Sequence, residues 1–482
     1  MAALRMRVCV SRTWALVFVG LATVGLGASE PAAPSSTLDR LHHWSHVAID
    51  STGLDHAPAD VGDPHVPGHH LGPGRASRAM AIVHIAIFEV VNAVERRYES
   101  YLRLPAVGPI ASMDAGIAQA AHDTLVALYP SQKAQCDQLL AADLALIPNS
   151  KAKQAGILLG RIAAAAILIR MRDDGSNHAE PLYGVDYIAG DGPGEWRQDP
   201  ISLLPPALGA KWGSVRPFVL PSGKALRVPA PPPLWSPAYA AAYNEVKTLG
   251  GVDSAARTED QTLIGIYWAY DGTPSLCAPP RLYNQITEAI AAEMGSDVVD
   301  QARLFALVNV AMADAGIAIW ESKYFYKLWR PVTGIREADP GTGPSGIGDR
   351  NPLTTGDVTF TPLGAPASNL DGPDFTPPFP SYPSGHAGFG GALFQTLRNV
   401  YRRDDIAFTF VSDELNGVTA GSDGIIRPLR PRRFRTLSQA EEENGQSRIY
   451  LGIHWAFDKT EGIKQGRRVA DYVFTHAFRP LR

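Results

Sequence analysis

Cysteine is scarce in this 482-residue chain, with Cys9, Cys136 and Cys277 its only three. That is too few for a disulfide framework, and the spacing is wrong for a cysteine-based zinc site. A surplus of positive charge is also missing. Lys and Arg number 44 against 48 Asp and Glu, a formal charge of -4, which argues against bulk nucleic-acid binding, since that needs a basic face. There is no tandem repeat and no alternation of strand and helix patterns, which points to a mainly helical fold. Beyond the N-terminal region no stretch reads as long enough to span a membrane without charges or helix breakers, so no integral membrane segment is expected after it. With 45% hydrophobic and 19% charged residues the chain is globular, with room for two domains or one large fused helical body.

Residues 1–29 have the pattern of a secretory signal. Arg5, Arg7 and Arg12 form a basic start, Trp14 to Leu26 an apolar segment, and Gly27-Ala28-Ser29 a small-residue exit. A secreted or periplasmic protein is expected. Residues 30–74, rich in Pro, Gly and Ser and holding His42, His43, His46, His56, His65, His69 and His70, read as an irregular wrap over a helical body. Helical periodicity then runs over 75–98, 115–128, 132–146 and 151–171, with His84 and His122 expected as hydrogen-bonded core residues. Residues 173–237 break that rhythm with Gly and Pro clusters, and Trp196, Trp212 and Trp235 are available to staple the long connection down. Arg216 is a candidate for the wall of a pocket. Helices return at 236–249, 254–269 and from about 280 to 294. The most apolar one follows from Val299 to about Trp329, interrupted by Asn309 and Asp314. The expected organisation is a signal peptide (1–29), a wrap and helical scaffold (30–235), and a C-terminal helical bundle (236–482), in a mainly α fold with long ordered loops.

Three short segments carry chemistry. In the first, Lys323 and Arg330 stand seven residues apart before Pro331, about two turns and ~10 Å along one side of a helix, so both long side chains can converge on one anion. The second is Phe379-Pro380-Ser381-Tyr382-Pro383-Ser384-Gly385-His386 followed by a small-residue apolar helix. Ser384 falls at the N-cap, where the hydroxyl and free amides make an anion site, and His386 adds an acid-base group. In the third, Arg448 precedes His454 and Asp458, a pair one helical turn apart in which the carboxylate can hold one ring nitrogen and leave the other free.

Three cations gathered at a helix start are costly unless an anion compensates them. The implied ligand is a highly charged tetrahedral oxyanion such as phosphate. One histidine can then serve as nucleophile or ligand and the other as general acid. A non-catalytic oxyanion carrier has no need of two histidines with orienting carboxylates.

The three segments, in this order, resemble the signature of the superfamily of type 2 phosphatidic acid phosphatases and vanadium-dependent haloperoxidases: Lys-x6-Arg-Pro, Pro-Ser-Gly-His and Ser-Arg-x5-His-x3-Asp. The surrounding residues are closer to the haloperoxidase branch, the chloroperoxidases in particular. The resemblance implies a helical-bundle fold of that type, with vanadate as cofactor held by Lys323, Arg330, Ser384, Gly385, Arg448 and His454. His454 would bond the metal and His386 would be the acid-base residue. Trp320 and Phe379 match the aromatic lining of the halide pocket, and Asp271, in Trp268-Ala269-Tyr270-Asp271-Gly272, matches a carboxylate set against His386. The implied reaction oxidises chloride or bromide with hydrogen peroxide to hypohalous acid, with a small organic molecule as acceptor. The alternative on the same residues is a secreted acid phosphatase acting through a phosphohistidine at His454.

Overall fold

The structure, a computed structural model, describes residues 34–59 and 65–481; the signal-like segment lies outside them. Thirteen α-helices organise the described residues: α1 (Thr37–Asp55), α2 (Gly72–Val94), α3 (Met113–Leu128), α4 (Lys133–Ala145), α5 (Lys151–Met171), α6 (Pro237–Leu249), α7 (Glu259–Tyr267), α8 (Pro279–Met294), α9 (Val298–Tyr326), α10 (Pro331–Arg336), α11 (Gly385–Tyr401), α12 (Leu437–Tyr450) and α13 (Ala456–His476). The strands β1 (Phe408–Phe410) and β2 (Arg432–Phe434) pair antiparallel as a small ribbon. A mainly α fold with long ordered connections is what the periodicity predicts.

At the centre lies α9, where 23 of 29 residues are buried. Its apolar surround is broken by Asn309, which exchanges amide hydrogen bonds with Asn284 of α8, and by Asp314. The Asp314 carboxylate accepts the backbone amides of Phe218, Val219 and Leu220 at 2.6–2.8 Å, which pins the long connection against the central helix. A buried polar group is tolerated when it is bonded in this way. The helix α2 packs along α9, and the described residues form one compact unit. The expected division at 235/236 therefore falls in a connection whose two sides share a core.

The expectation of an irregular 30–74 is corrected at α1. Ser36 caps this helix in a reciprocal box with Asp39, and Leu41, Trp44, Ala48 and Ile49 bury a face that the surrounding Pro and Gly hide in the sequence. No group of three or more potential metal ligands occurs among the described residues. His84 is buried as expected but makes no hydrogen bond. It sits edge-on to Phe305 with centroids 5.6 Å apart, and burial pushes its pKa down to about 3. Of the three tryptophans, Trp196 and Trp212 are buried at 2% exposure and Trp235 is 69% exposed, so two staple the connection. Cys136 and Cys277 are buried free thiols.

The expectation about membrane length is corrected too. By length and apolarity α2, α5 and α9 are each able to cross a membrane. The apolar windows of α2 and α9 are spent inside the protein, 89% and 100% buried, whereas that of α5 is 33% buried.

What positions the site is the closeness of α11 and α13. A Cβ on Gly466 would lie 2.0 Å from the carbonyl oxygen of Gly388, and one on Gly391 would lie 2.5 Å from that of Ile463. Only glycines let the two backbones meet this closely. The small-residue run after His386 is thus the surface against which the third chemical segment is set.

Candidate active site

Lys323 lies in the last turn of α9, which stops at Tyr326 because Lys327 adopts a left-handed cap at φ 51°. Arg330 therefore leaves the helix and becomes the N-cap of α10. The two cations do converge, but across a break rather than along one helix face as their spacing suggests. The Lys323 ammonium donates to the carbonyls of Pro380 (2.8 Å) and Ser381 (2.9 Å), which leaves one of its three protons free. Arg330 donates through Nε to the Phe379 carbonyl and through Nη1 to the Ile453 carbonyl and to Nε2 of His454, each at 2.9 Å. Its Nη2 is buried with no partner.

Ser384 caps α11 with its hydroxyl 3.4 Å from the Ala387 amide, while its own amide donates to the Asp458 carbonyl at 3.0 Å. The first-turn amides at Gly385 and His386 have no helical acceptor, as at every helix start. The backbone of His386 is held by Tyr283 Oη and Asn444 Nδ2, which both donate to its carbonyl. Its ring Nε2 meets the carbonyl of Ala269. Asp271 stands 3.9 Å from the same nitrogen, yet its hydrogen bonds go elsewhere. Both of its oxygens accept from Nη2 of Arg448 at 2.8 Å. The carboxylate that the resemblance sets against His386 is thus bonded to the third cation, and a main-chain oxygen orients the ring.

Arg448 ends α12. Beyond Nη2 it has Nε and Nη1 buried without partners. His454 and Asp458 meet as expected, though the histidine precedes α13 instead of lying on it. The Asp458 carboxylate accepts Nδ1–H of His454 at 2.8 Å and the Trp455 amide at 3.0 Å, closing the capping box of the helix. With Nδ1 protonated toward Asp458, Nε2 presents its lone pair, and in this arrangement it receives a proton donor from Arg330.

The electrostatics follow from burial. Lys323 and Arg330 are held below their ordinary pKa first by desolvation and then by neighbouring cations, Arg330 to about 9. The same causes hold His386 and His454 well below the usual imidazole range. Burial pushes the Asp458 carboxyl up to about 7, against the pull of the Trp455 amide and the cations, and it also raises Asp271, against Arg448. Three cations face two carboxylates, and three guanidinium nitrogens lack acceptors. Taking an ion out of water costs several kcal/mol even after relaxation. An oxyanion seated here satisfies both the excess charge and the orphan donors, and Nε2 of His454 offers it a lone-pair ligand.

Trp320 and Phe379 are in contact, with ring centroids 5.0 Å apart. Phe379 also lies under the Lys323 ammonium and the Arg330 guanidinium, 5.1 and 4.8 Å from its centroid. The indole N–H of Trp320 is already donated to the Leu208 carbonyl at 3.0 Å. Above these groups opens a cavity of about 500 Å³ whose floor includes Asp271, His386, Arg448 and His454. Its walls come from residues 202–208 and 367–379 and from the starts of α2 and α8. Arg216 is not among the lining residues; it donates to the Arg170 carbonyl instead. Sequence reading missed the carbonyls of Ala269, Ile453 and Pro380, because main-chain acceptors have no residue signature. It missed Leu204, Leu208 and Leu370 as wall residues because isolated apolar residues in loops carry no pattern.

Comparison with known proteins agrees with this geometry. Residues 303–482 match the family described as the VCPO second helical-bundle domain. The chain is 30% identical over 502 residues to the vanadium chloroperoxidase of Curvularia inaequalis, covering 86% of this chain and 78% of that protein. Among solved structures, a bacterial vanadium-dependent iodoperoxidase superposes with a TM-score of 0.70 at 23% identity, covering 91% of this chain and 97% of that one. An apo-type bacterial vanadium-dependent chloroperoxidase does so at 0.62 and 15%, covering 84% and 93%. These two likenesses are of fold.

Proposed function

The chain belongs to the vanadium-dependent haloperoxidases, and from that premise we propose how its site residues divide the work of oxidising halide with hydrogen peroxide. The observation that carries the proposal is the set of buried, unpartnered donors, Arg330 Nη2 and Arg448 Nε and Nη1, beside the Nε2 lone pair of His454. That donor set fits vanadate, a compact anion whose oxygens accept hydrogen bonds and whose metal takes an imidazole ligand. Lys323, Arg330, Ser384, Gly385 and Arg448 would hold its oxygens, and His454 would bind the metal. When bound, vanadate supplies a Lewis-acidic centre that polarises peroxide oxygen without changing oxidation state.

The chain's own residues do the rest. Asp458 keeps Nδ1 of His454 protonated and the ring in one orientation, so Nε2 stays a ligand. Arg330, whose Nη1 is donated to that nitrogen here, would donate to the oxyanion when the metal takes its place. Lys323, backed by two carbonyls, keeps one N–H for charge that develops on oxygen. His386 is held neutral by burial and by its cationic neighbours, which leaves it free to take and return a proton of the substrate peroxide. Asp271 fixes Arg448, and through it the cationic wall beside His386. Trp320 and Phe379 form a dry, polarisable surface next to two cations, suited to a weakly hydrated halide.

The phosphatase alternative uses His454 as a nucleophile; the relatives do not favour it. Secretion, with residues 1–29 removed as a signal, is part of the proposal. The pattern of basic, apolar and small residues there supports it, and N-terminal sequencing of the exported protein tests it. The test of function is halide oxidation by purified protein with and without vanadate, alongside turnover of a simple phosphomonoester. Halide oxidation that requires vanadate is expected, and His454→Ala should lose vanadate binding and peroxidase activity together. Phosphatase turnover with no halide oxidation would overturn the proposal.

A further inference from the structure

We propose that the outer face of α5 docks the protein on an anionic phospholipid surface, with the helix lying in the plane of the headgroups. The inner face of α5 is already committed. Gly156, Gly160, Ala163, Ile167 and Met171 are buried where the helix packs on α3 and α2. A Cβ on Gly156 would lie 2.2 Å from the Ser112 carbonyl oxygen, and one on Gly160 would lie 2.6 Å from that of Gly116. The helix cannot roll without a clash, so these glycines fix which side looks outward. On that side Leu158, Ile162, Ala165 and Ile169 recur at steps of four, three and four residues, a stripe about 16 Å long. Leu158 is 59% exposed, Ile162 45% and Ile169 62%. Aliphatic side chains in line make a patch, and exposed apolar patches mark interaction surfaces.

Charge decides the occupant. From Leu144 to Arg172 the chain has no Asp or Glu, yet it holds Lys151, Lys153, Arg161, Arg170 and Arg172. Lys153 is held by the carbonyls of Leu144 and Ile147 and by Asn149, and Arg170 lies over the Tyr101 ring. The other three are exposed, with Arg172 3.6 Å from Asp173. At about 100° per residue, Lys151, Arg161 and Arg172 fall within about 70° of the midline of the stripe. Cations so placed can bury their stems and reach lipid phosphates, while the aliphatic stripe settles at the boundary of headgroups and acyl chains. A second copy laid on the same stripe would instead set two acid-free helices face to face, a like-charge contact. The whole chain has a formal charge of -4, so attraction to an anionic bilayer has to come from this local patch. With its inner face packed, α5 lies on the membrane and does not cross it. Vanadate plays no part in the docking.

The test is cosedimentation with vesicles of phosphatidylcholine alone or mixed with phosphatidylglycerol. It uses the purified chain from residue 30 on, whose described residues form one compact unit, so that the apolar run at 14–26 cannot itself bind lipid. Binding to the mixed vesicles is expected, with little to the neutral ones, and it should weaken as salt screens the surface charge. Leu158→Glu combined with Ile169→Glu should lower the partition coefficient at least about tenfold by removing the apolar contact. Arg161→Gln should lower it about fivefold, the share of one cation at an anionic surface. These side chains are exposed and remote from the oxyanion site, so melting temperature and halide oxidation should match wild type in both variants. Arg161→Gln carries the test if the double variant does not fold. Equal recovery with and without phosphatidylglycerol overturns the proposal, and so does unaltered binding by both variants. A dimer that forms without lipid and is abolished in the double variant, with no vesicle binding by wild type, assigns the stripe to a second copy and overturns the membrane reading.

Discussion

Asp458 offers a test of how the metal-ligating histidine is set. Its carboxylate accepts Nδ1–H of His454 at 2.8 Å and the Trp455 amide at 3.0 Å, and it is fully buried. Asp458→Asn and Asp458→Ala remove the same negative charge, so any change in the field on the oxyanion is common to both. They differ in the hydrogen bond. Asparagine keeps a carbonyl oxygen where the carboxylate stood, and alanine leaves the ring free to turn. A neutral hydrogen bond is worth about 0.5–1.5 kcal/mol, so the asparagine variant should bind vanadate roughly 2–12-fold tighter than the alanine variant. Loss of such an outer partner lowers metal affinity about 10–100-fold, and alanine is expected in that range relative to wild type. Equilibrium dialysis with vanadium quantification reads this without turnover. Thermal melts of the vanadate-free proteins control for the lost cap of α13. Equal affinity of the two variants would refute the reasoning, because Asp458 would then act through charge alone.

Three further outcomes follow from particular contacts. Trp320→Phe removes an indole N–H already committed to the Leu208 carbonyl, so the KM for halide should stay within about twofold of wild type; a tenfold rise would mean that the N–H itself binds halide. Gly466→Ala puts a methyl 2.0 Å from the Gly388 carbonyl, and the resulting separation of α11 from α13 should cost about 1–3 kcal/mol in urea unfolding and weaken vanadate binding. Unaltered stability would show that the interface yields freely. Burial pushes buried Glu288 from 4.5 up to about 8, so the folded protein keeps a proton that the unfolded chain releases. The stability tied to it is complete below pH 4.5 and is lost as pH rises through 8, with a ceiling of about 5 kcal/mol from 3.5 units at ~1.4 each. Glu288→Gln titrates in neither state, so between about pH 5 and 9 its urea midpoint should fall less than that of wild type; equal falls would refute the assignment.

Much of the fold was legible because its helices are long and regularly patterned. The periodicity over 151–171 coincides with α5, and the expected helices near α2, α3, α4 and α9 end within a few residues of the observed ones. The misreadings have local causes. Helix α1 lies in a stretch bounded by Pro and Gly, and its apolar face is interleaved with histidines. Helix α9 ends three residues before the Trp329 that its pattern suggests, because a left-handed Lys327 has no residue signature. Membrane-like apolarity in α2 and α9 reflects burial on all sides, which composition does not separate from lipid exposure.

The sequence by itself determined which groups could do chemistry: three cations, two histidines and a capped helix start, in a spacing that made an oxyanion site and the family legible. Tertiary structure decided their partners. It put Asp271 on Arg448 rather than on His386, gave His386 the Ala269 carbonyl, and tied the indole N–H of Trp320 to Leu208. It also assembled loops distant in sequence into one apolar cavity. The division has a physical reason. Charge and acid-base character belong to side chains and can be read residue by residue, whereas main-chain acceptors, burial and enclosed volume exist only once the helices have packed.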